Sequence, residues 1–235
     1  MTRQLPLPFA HRPDYDPADF LPAPSNAEAL AWLERTAEWP ARRLALWGEA
    51  GCGKTHLLHL WARREGAVLL DTSGLRGPPT VPVAIDDADR VADEEALLHL
   101  LNAAAEAGLP VLLAGRAPPA RWRVRLPDLA SRLRAVAAVP VRPPEDALLR
   151  ALLARLLVER QLAVPEHVQS YLLLHLPRTP GAMRDAAQRL DRLALAAGRA
   201  VTRPIAAAVV AELAPSVQEI SVHSAVQPAH RPGTL

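Results

Sequence analysis

A single cysteine, Cys52, in 235 residues excludes an internal disulfide framework, so stability must come from a packed core. No apolar run approaches the roughly 18–20 residues needed to cross a membrane. A secretory leader has no support either: the start carries one basic residue, Arg3, and its short apolar stretch is broken by Pro6 and Pro8. Charge of one sign is scarce, with 27 basic against 25 acidic residues and a formal net charge of +2. A general nucleic-acid binder therefore has no basis in bulk electrostatics. These absences predict a soluble protein of a reducing compartment, cytoplasmic and without membrane association. Lysine is nearly missing: 26 of the 27 basic residues are arginine, and Lys54 stands alone. A lysine retained in such a chain marks a place that needs a compact ammonium where a planar guanidinium will not serve.

Half of the residues are hydrophobic, ample for a core, and they fall into two patterns. After an extended Pro-rich start over 1–15 and an irregular lead-in, Phe20 to Asn26, the stretch 27–39 has helical spacing, with Ser25 or Asn26 as its cap. Short apolar runs follow at Leu44–Trp47, Ala67–Leu70, Val81–Ile85, Val111–Ala114 and Val136–Val141, with helical patterns at 56–65 and 93–108. Strands alternating with helices predict an α/β unit, a parallel five-stranded sheet flanked by helices, over 16–143. Beyond Pro143-Pro144 come four amphipathic helical segments with no strand among them, predicting a small all-α unit over 144–214. Pro165, Pro177 and Pro204 fall between or at the starts of these helices. Residues 215–235 lack periodicity and read as a disordered tail.

Gly48-Glu49-Ala50-Gly51-Cys52-Gly53-Lys54-Thr55 satisfies G-x-x-x-x-G-K-[ST] between a predicted strand and a predicted helix. Glycines there let successive backbone N–H groups turn around phosphate oxygens at a helix N-terminus. Lys54 is expected on the phosphates and the Thr55 hydroxyl on Mg²⁺. Cys52 fills a free position of the loop as a small residue. His56 follows at the start of the helix and is counted with the nucleotide-contacting residues; with His59 it belongs to no metal-ligand cluster. Val83-Ala84-Ile85-Asp86-Asp87 is an apolar strand ending in two carboxylates: Asp86 for Mg²⁺ and Asp87 to polarise an attacking water. These motifs imply nucleotide binding and leave its kind open among a metabolite kinase, a helicase core and a AAA+ protein. The helical unit behind a short α/β unit favours the AAA+ plan.

On these residues the chain resembles the DnaA-related AAA+ proteins, most closely the Hda type that inactivates the initiator DnaA. The resemblance runs from about residue 4 to 214. Phe20, Leu21 and Asn26 resemble the family's lead-in to the adenine pocket, with Ala23 where glycine is common. Leu112-Leu113-Ala114-Gly115-Arg116 is similar to the sensor I strand, with Gly115 where the family often has aspartate. Leu126-Pro127-Asp128-Leu129-Ala130-Ser131-Arg132-Leu133 is similar to the arginine-finger segment, placing the finger at Arg132, to act in trans on a neighbour's nucleotide. Met183-Arg184-Asp185 resembles sensor II, placing that arginine at Arg184. Arg121, Arg123, Arg125 and Arg134 read as solvated surface residues.

The resemblance implies ADP or ATP with Mg²⁺ as ligands and weak ATPase activity at most. It also implies the DnaA AAA+ domain as partner, with a homodimer as a further expectation. No helix-turn-helix pattern follows the lid, so direct sequence-specific DNA binding is not expected. Gln4-Leu5-Pro6-Leu7-Pro8-Phe9 resembles the clamp-binding hexapeptide Q-L-x-L-P-[LF] of Hda-type proteins, implying attachment to the polymerase sliding clamp. Leu5, Leu7 and Phe9 would anchor in apolar pockets, Gln4 would bond at their rim, and Pro6 and Pro8 pre-extend the segment. The competing expectation is a DnaA-paralogue adaptor or helicase-loader-like ATPase that needs no clamp.

Overall fold

Five apolar runs pair in parallel as one sheet: β1 (Arg43–Trp47), β2 (Val68–Leu70), β3 (Val83–Ile85), β4 (Val111–Gly115) and β5 (Ala137–Pro140), in the order β2-β3-β4-β1-β5. The computed structural model describes residues 20–75, 77–197 and 200–213. The hexapeptide Gln4 to Phe9, the rest of 1–15 and the tail 215–235 lie outside the described residues. In register, Leu44 pairs with Leu112 and Ala137, and Trp47 pairs with Gly115 and Pro140. Side chains alternate across a pleated strand, so β1, β2, β3 and β4 each feed two cores. Leu44, Leu46, Ala84, Leu112, Ala114 and Val139 pack on one face with α1 (Ala27–Leu33) and α2 (Lys54–Glu65). Ala45, Val83, Ile85, Val111 and Leu113 pack on the other with α3 (Glu94–Glu106) and α4 (Pro127–Arg134). With both faces covered, the strands are continuously apolar, as the sequence shows them. Each fully buried large side chain contributes about 1.5–3 kcal/mol.

Four helices complete the described chain: α5 (Asp146–Glu159), α6 (Glu166–His175), α7 (Pro180–Ala197) and α8 (Arg203–Leu213). On α5, Leu149, Leu152, Leu153, Leu156 and Leu157 form one apolar stripe. They build a core with Val168, Leu172, Met183, Ala186, Leu190, Ala206 and Val209, distinct from the two sheet cores. Leu21, from the lead-in, packs against this helical core, while Phe20 packs against the α1–α2 side of the sheet. The lead-in thus bridges sheet and lid.

The helix expected over 27–39 ends at Leu33, and side chains end it. Trp39 Nε1 takes the Trp32 carbonyl at 2.8 Å, Arg35 Nε takes Ala31 at 3.0 Å, and Thr36 Oγ1 and Arg64 take Leu33. These are the last-turn acceptors that a continuing helix would have used. The segment Pro127–Arg134, by contrast, is a helix in its own right, started by Pro127 at its first position.

Candidate nucleotide site

The loop between β1 and α2 is shaped by glycine at two contacts. A Cβ on Gly48 would lie 2.2 Å from the Val141 carbonyl oxygen, so backbone packs on backbone there. Gly51 has φ +78°, and a Cβ on it would lie 2.5 Å from Thr179 Cγ2. Thr179 immediately precedes α7 and caps it, its Oγ1 accepting the Ala182 N–H at 3.1 Å. The lid therefore touches the loop directly, a contact that sequence reading missed. Lys54 is buried, and its ammonium donates to the carbonyls of Gly48 (2.8 Å) and Glu49 (2.9 Å) with Cys52 Sγ 3.7 Å away. The charge is thus held at the centre of the loop, and anionic phosphate oxygens are stronger acceptors than these carbonyls.

Thr55 Oγ1 donates to Asp86 Oδ2 at 2.7 Å, joining the loop helix to the end of β3. The other Asp86 oxygen accepts the Asp87 N–H at 3.0 Å. A hydroxyl and one carboxylate are hard oxygen donors suited to Mg²⁺, which keeps waters and takes the remaining positions from phosphate. Among the described residues no group of three or more His, Cys, Asp or Glu could hold a metal, so a dedicated all-protein cage is not built here. The residues present fit Mg²⁺ held jointly with a phosphate. One turn along α2, His59 has its pKa lowered, chiefly by burial and also by Arg63, against an opposing pull from Asp86. Asp87 follows with φ +47°, and its exposed carboxylate is 3.9 Å from Arg90 Nη1.

Beside the loop lies a mainly apolar cleft walled by Phe20, Leu21, Cys52, Gly53, His56, Leu57, Leu148, Leu152 and Pro180, with Asn26 and Arg184 supplying polar groups. Both ends of the Asn26 amide are spent on the lead-in: Nδ2 donates to Leu21 O at 3.1 Å, and Oδ1 accepts Ala23 N–H at 2.9 Å. Asn26 thereby holds Phe20 and Leu21 against the cleft. His56 is buried, meets Phe20 edge to face with ring centroids 5.1 Å apart, and its Nδ1 is 2.8 Å from Arg184 Nη2. A guanidinium only donates, so Nδ1 is the acceptor. Loop, cleft and lid thus meet at His56 and Arg184, residues 128 positions apart in sequence.

Arg132 lies elsewhere. It is exposed near the end of α4, and its charge, after burial, lowers the pKa of Arg43, whose guanidinium donates to Leu101 O at 2.7 Å. Arg43 begins β1 and the phosphate loop follows its end, about 13 Å along a five-residue strand. At the end of β4, Gly115 has no room for the aspartate common in its place. A Cβ there would lie 2.8 Å from Trp122 Cζ2 and 3.2 Å from both Asp89 Cβ and Cγ. Asp89, on the turn after β3, stands in that volume instead, accepting the Arg116 N–H at 2.8 Å.

A P-loop after the first strand, acids ending the third, a five-stranded parallel sheet and a helical lid closing on the loop define a P-loop protein of the AAA+ class. Residues 146–210 match the family described as the Hda lid domain. Domain III of the Thermotoga maritima replication initiation protein DnaA superposes with a TM-score of 0.71 at 18% identity, over 86% of this chain and 98% of that one. AMPPCP-bound DnaA from Aquifex aeolicus gives 0.63 at 18%, over 80% and 68%. Thermotoga maritima RuvB gives 0.58 at 16%, over 80% and 68%. The structural likenesses carry the AAA+ fold, and over residues 146–210 the chain is similar to the Hda lid domain.

Proposed function

We propose that this chain is a nucleotide-bound regulator of replication initiation that acts on ATP held by DnaA. The observation that carries this reading is the separation of its two functional ends. One end has the phosphate loop, which follows the end of β1; the other has an exposed Arg132 whose charge acts on Arg43 at the start of that strand. Such a chain can hold one nucleotide and reach another. In its own site Gly48, Gly51, Gly53 and Lys54 would cradle phosphates, while Thr55 and Asp86 would hold Mg²⁺. Phe20, Leu21 and His56 would contact the base, with Cys52 in the wall. Asn26 would keep that wall in place. Arg184 would report nucleotide occupancy to the lid. Mg²⁺ supplies charge neutralisation at the phosphates. Asp87 would polarise an attacking water.

Presented to a DnaA AAA+ domain, Arg132 would stabilise charge developing on the transferred phosphoryl group, a contribution of about 10³- to 10⁵-fold in rate when a finger is supplied in trans. Gln4, Leu5, Leu7, Pro8 and Phe9 would tether the chain to the sliding clamp at about micromolar affinity, weak enough to release. The test is hydrolysis of DnaA-bound ATP in the presence of clamp, comparing wild type with Arg132→Ala and with the double change Gln4→Ala and Leu7→Ala. Both variants are expected to lose stimulation, and only the second to lose clamp binding. Full stimulation by Arg132→Ala refutes the finger role. Clamp-independent activity in the double variant favours an adaptor or loader instead.

A further inference from the structure

The helix that carries Arg132 has no cap of its own. Pro127 lacks an N–H, and the preceding Leu126 has no polar side chain. The chain leading into it is held from α3 instead, whose first residue is Glu94. Its carboxylate accepts the Arg125 N–H at 2.9 and 3.0 Å and the Leu126 N–H at 2.8 Å. An acid at a helix N-terminus is also favoured by the helix dipole. At the opposite end of the same connection, Asp89 holds the Arg116 N–H. Between these two clamps, Trp122 donates its indole N–H to Ala117 O at 2.7 Å and packs with Val124 and Leu126 beside Leu129 and Leu133. Residues 116–126 are therefore gripped at both ends by carboxylates from the segment that starts at Asp86 and Asp87. Through Asp86 that segment is bonded to Thr55 of the phosphate loop.

We propose that Glu94 is a positioning residue for Arg132, fixing the entry of α4 so that the finger's placement follows the acid-bearing segment of the chain's own nucleotide site. The proposal rests on the finger reading above and adds the residue that aims it. The backbone N–H groups of Arg125 and Leu126, in that order, hold the Glu94 carboxyl below its ordinary pKa, so the clamp is made at neutral pH. A shift of about 1 Å in a reacting group can cost 10²-fold in rate. Loss of the Glu94 carboxylate, which holds this entry by three hydrogen bonds, should have an effect of that order.

The experiment compares wild type, Glu94→Ala, Glu94→Gln, Arg132→Ala and the double variant Arg132→Ala with Glu94→Ala, all as full chains. The readout is the maximal rate and half-saturating concentration for hydrolysis of DnaA-bound ATP. Circular dichroism and ADP affinity check that each variant folds. Glu94→Ala is expected to lower the maximal rate about 10²-fold at an unchanged half-saturating concentration. Glu94→Gln keeps a carbonyl acceptor and should recover most of that loss. The double variant should be no slower than Arg132→Ala alone, because Glu94 acts only through the finger. A wild-type rate in a folded Glu94→Ala variant overturns the proposal, as does a loss that adds fully to that of Arg132→Ala. A raised half-saturating concentration with an unchanged maximal rate also overturns it, since that assigns Glu94 to docking. If wild type gives no stimulation at all, the finger reading itself fails and this role falls with it.

Discussion

Replacing Gly51 with alanine puts a methyl carbon 2.5 Å from Thr179 Cγ2 and 3.0 Å from Thr179 Cβ, at a backbone φ of +78°. The two faults have separate magnitudes. Holding an L-residue in the left-handed region costs about 1–2 kcal/mol. Overpacking a close contact costs about 1–3 kcal/mol. The expected destabilisation is therefore about 2–5 kcal/mol, measurable by urea unfolding followed by circular dichroism. Thr179→Ser separates the two: it removes Cγ2 but keeps the hydroxyl that accepts the Ala182 N–H. Added to Gly51→Ala, it should return most of the steric part and leave the conformational part. Fluorescent-ADP affinity should recover alongside, because the same contact sets the lid against the loop. If Thr179→Ser gives no relief, the loop and the lid do not touch as described, and the steric reasoning is wrong.

Lys54→Ala removes two charge-assisted donors, each worth about 1.5–3 kcal/mol; calorimetry should find ADP binding weakened by at least about 10²-fold. Thr36→Val deletes a buried hydroxyl that accepts from Trp61 Nε1 at 3.0 Å, bonds Leu33 O and Glu65 Oε1 at 3.1 Å and meets Arg64. With the indole N–H left unsatisfied, unfolding experiments should show a loss of about 1–3 kcal/mol. For His59, burial is the main cause holding the folded pKa below the ordinary value. The stability it contributes is fully present above the unfolded-state pKa of about 6.5 and is lost as pH falls through the lower folded pKa. His59→Gln should accordingly flatten the decline in melting temperature between about pH 7 and pH 5; an unchanged slope would show that His59 is not desolvated.

The phosphate loop was legible because its chemistry is local: eight consecutive residues, one of them the chain's sole lysine, between a strand and a helix. The strand leading into Asp86 and the apolar stripe of α5 were equally legible, since a continuous apolar run ending in acids and a spacing near four are written in consecutive residues. The end of α1 was not, because the side chains that take its last carbonyls include Arg64, some thirty residues away. That Asp89 stands beside Gly115 at the end of β4 was not legible either, since it reaches that strand end from another element. His56 was assigned near the nucleotide, but nothing in its neighbours announced a bond to Arg184.

By itself, then, the sequence determined which segments become strands and helices and which loop is shaped for phosphate, because those follow from patterns within a few residues. Tertiary structure alone decided how the lid meets Gly51 through Thr179 and that Arg132 stands near Arg43 at the start of β1. It also decided which carboxylates hold the approach to α4. These are contacts between residues distant in sequence, set by sheet order and helix packing, and no local pattern encodes them.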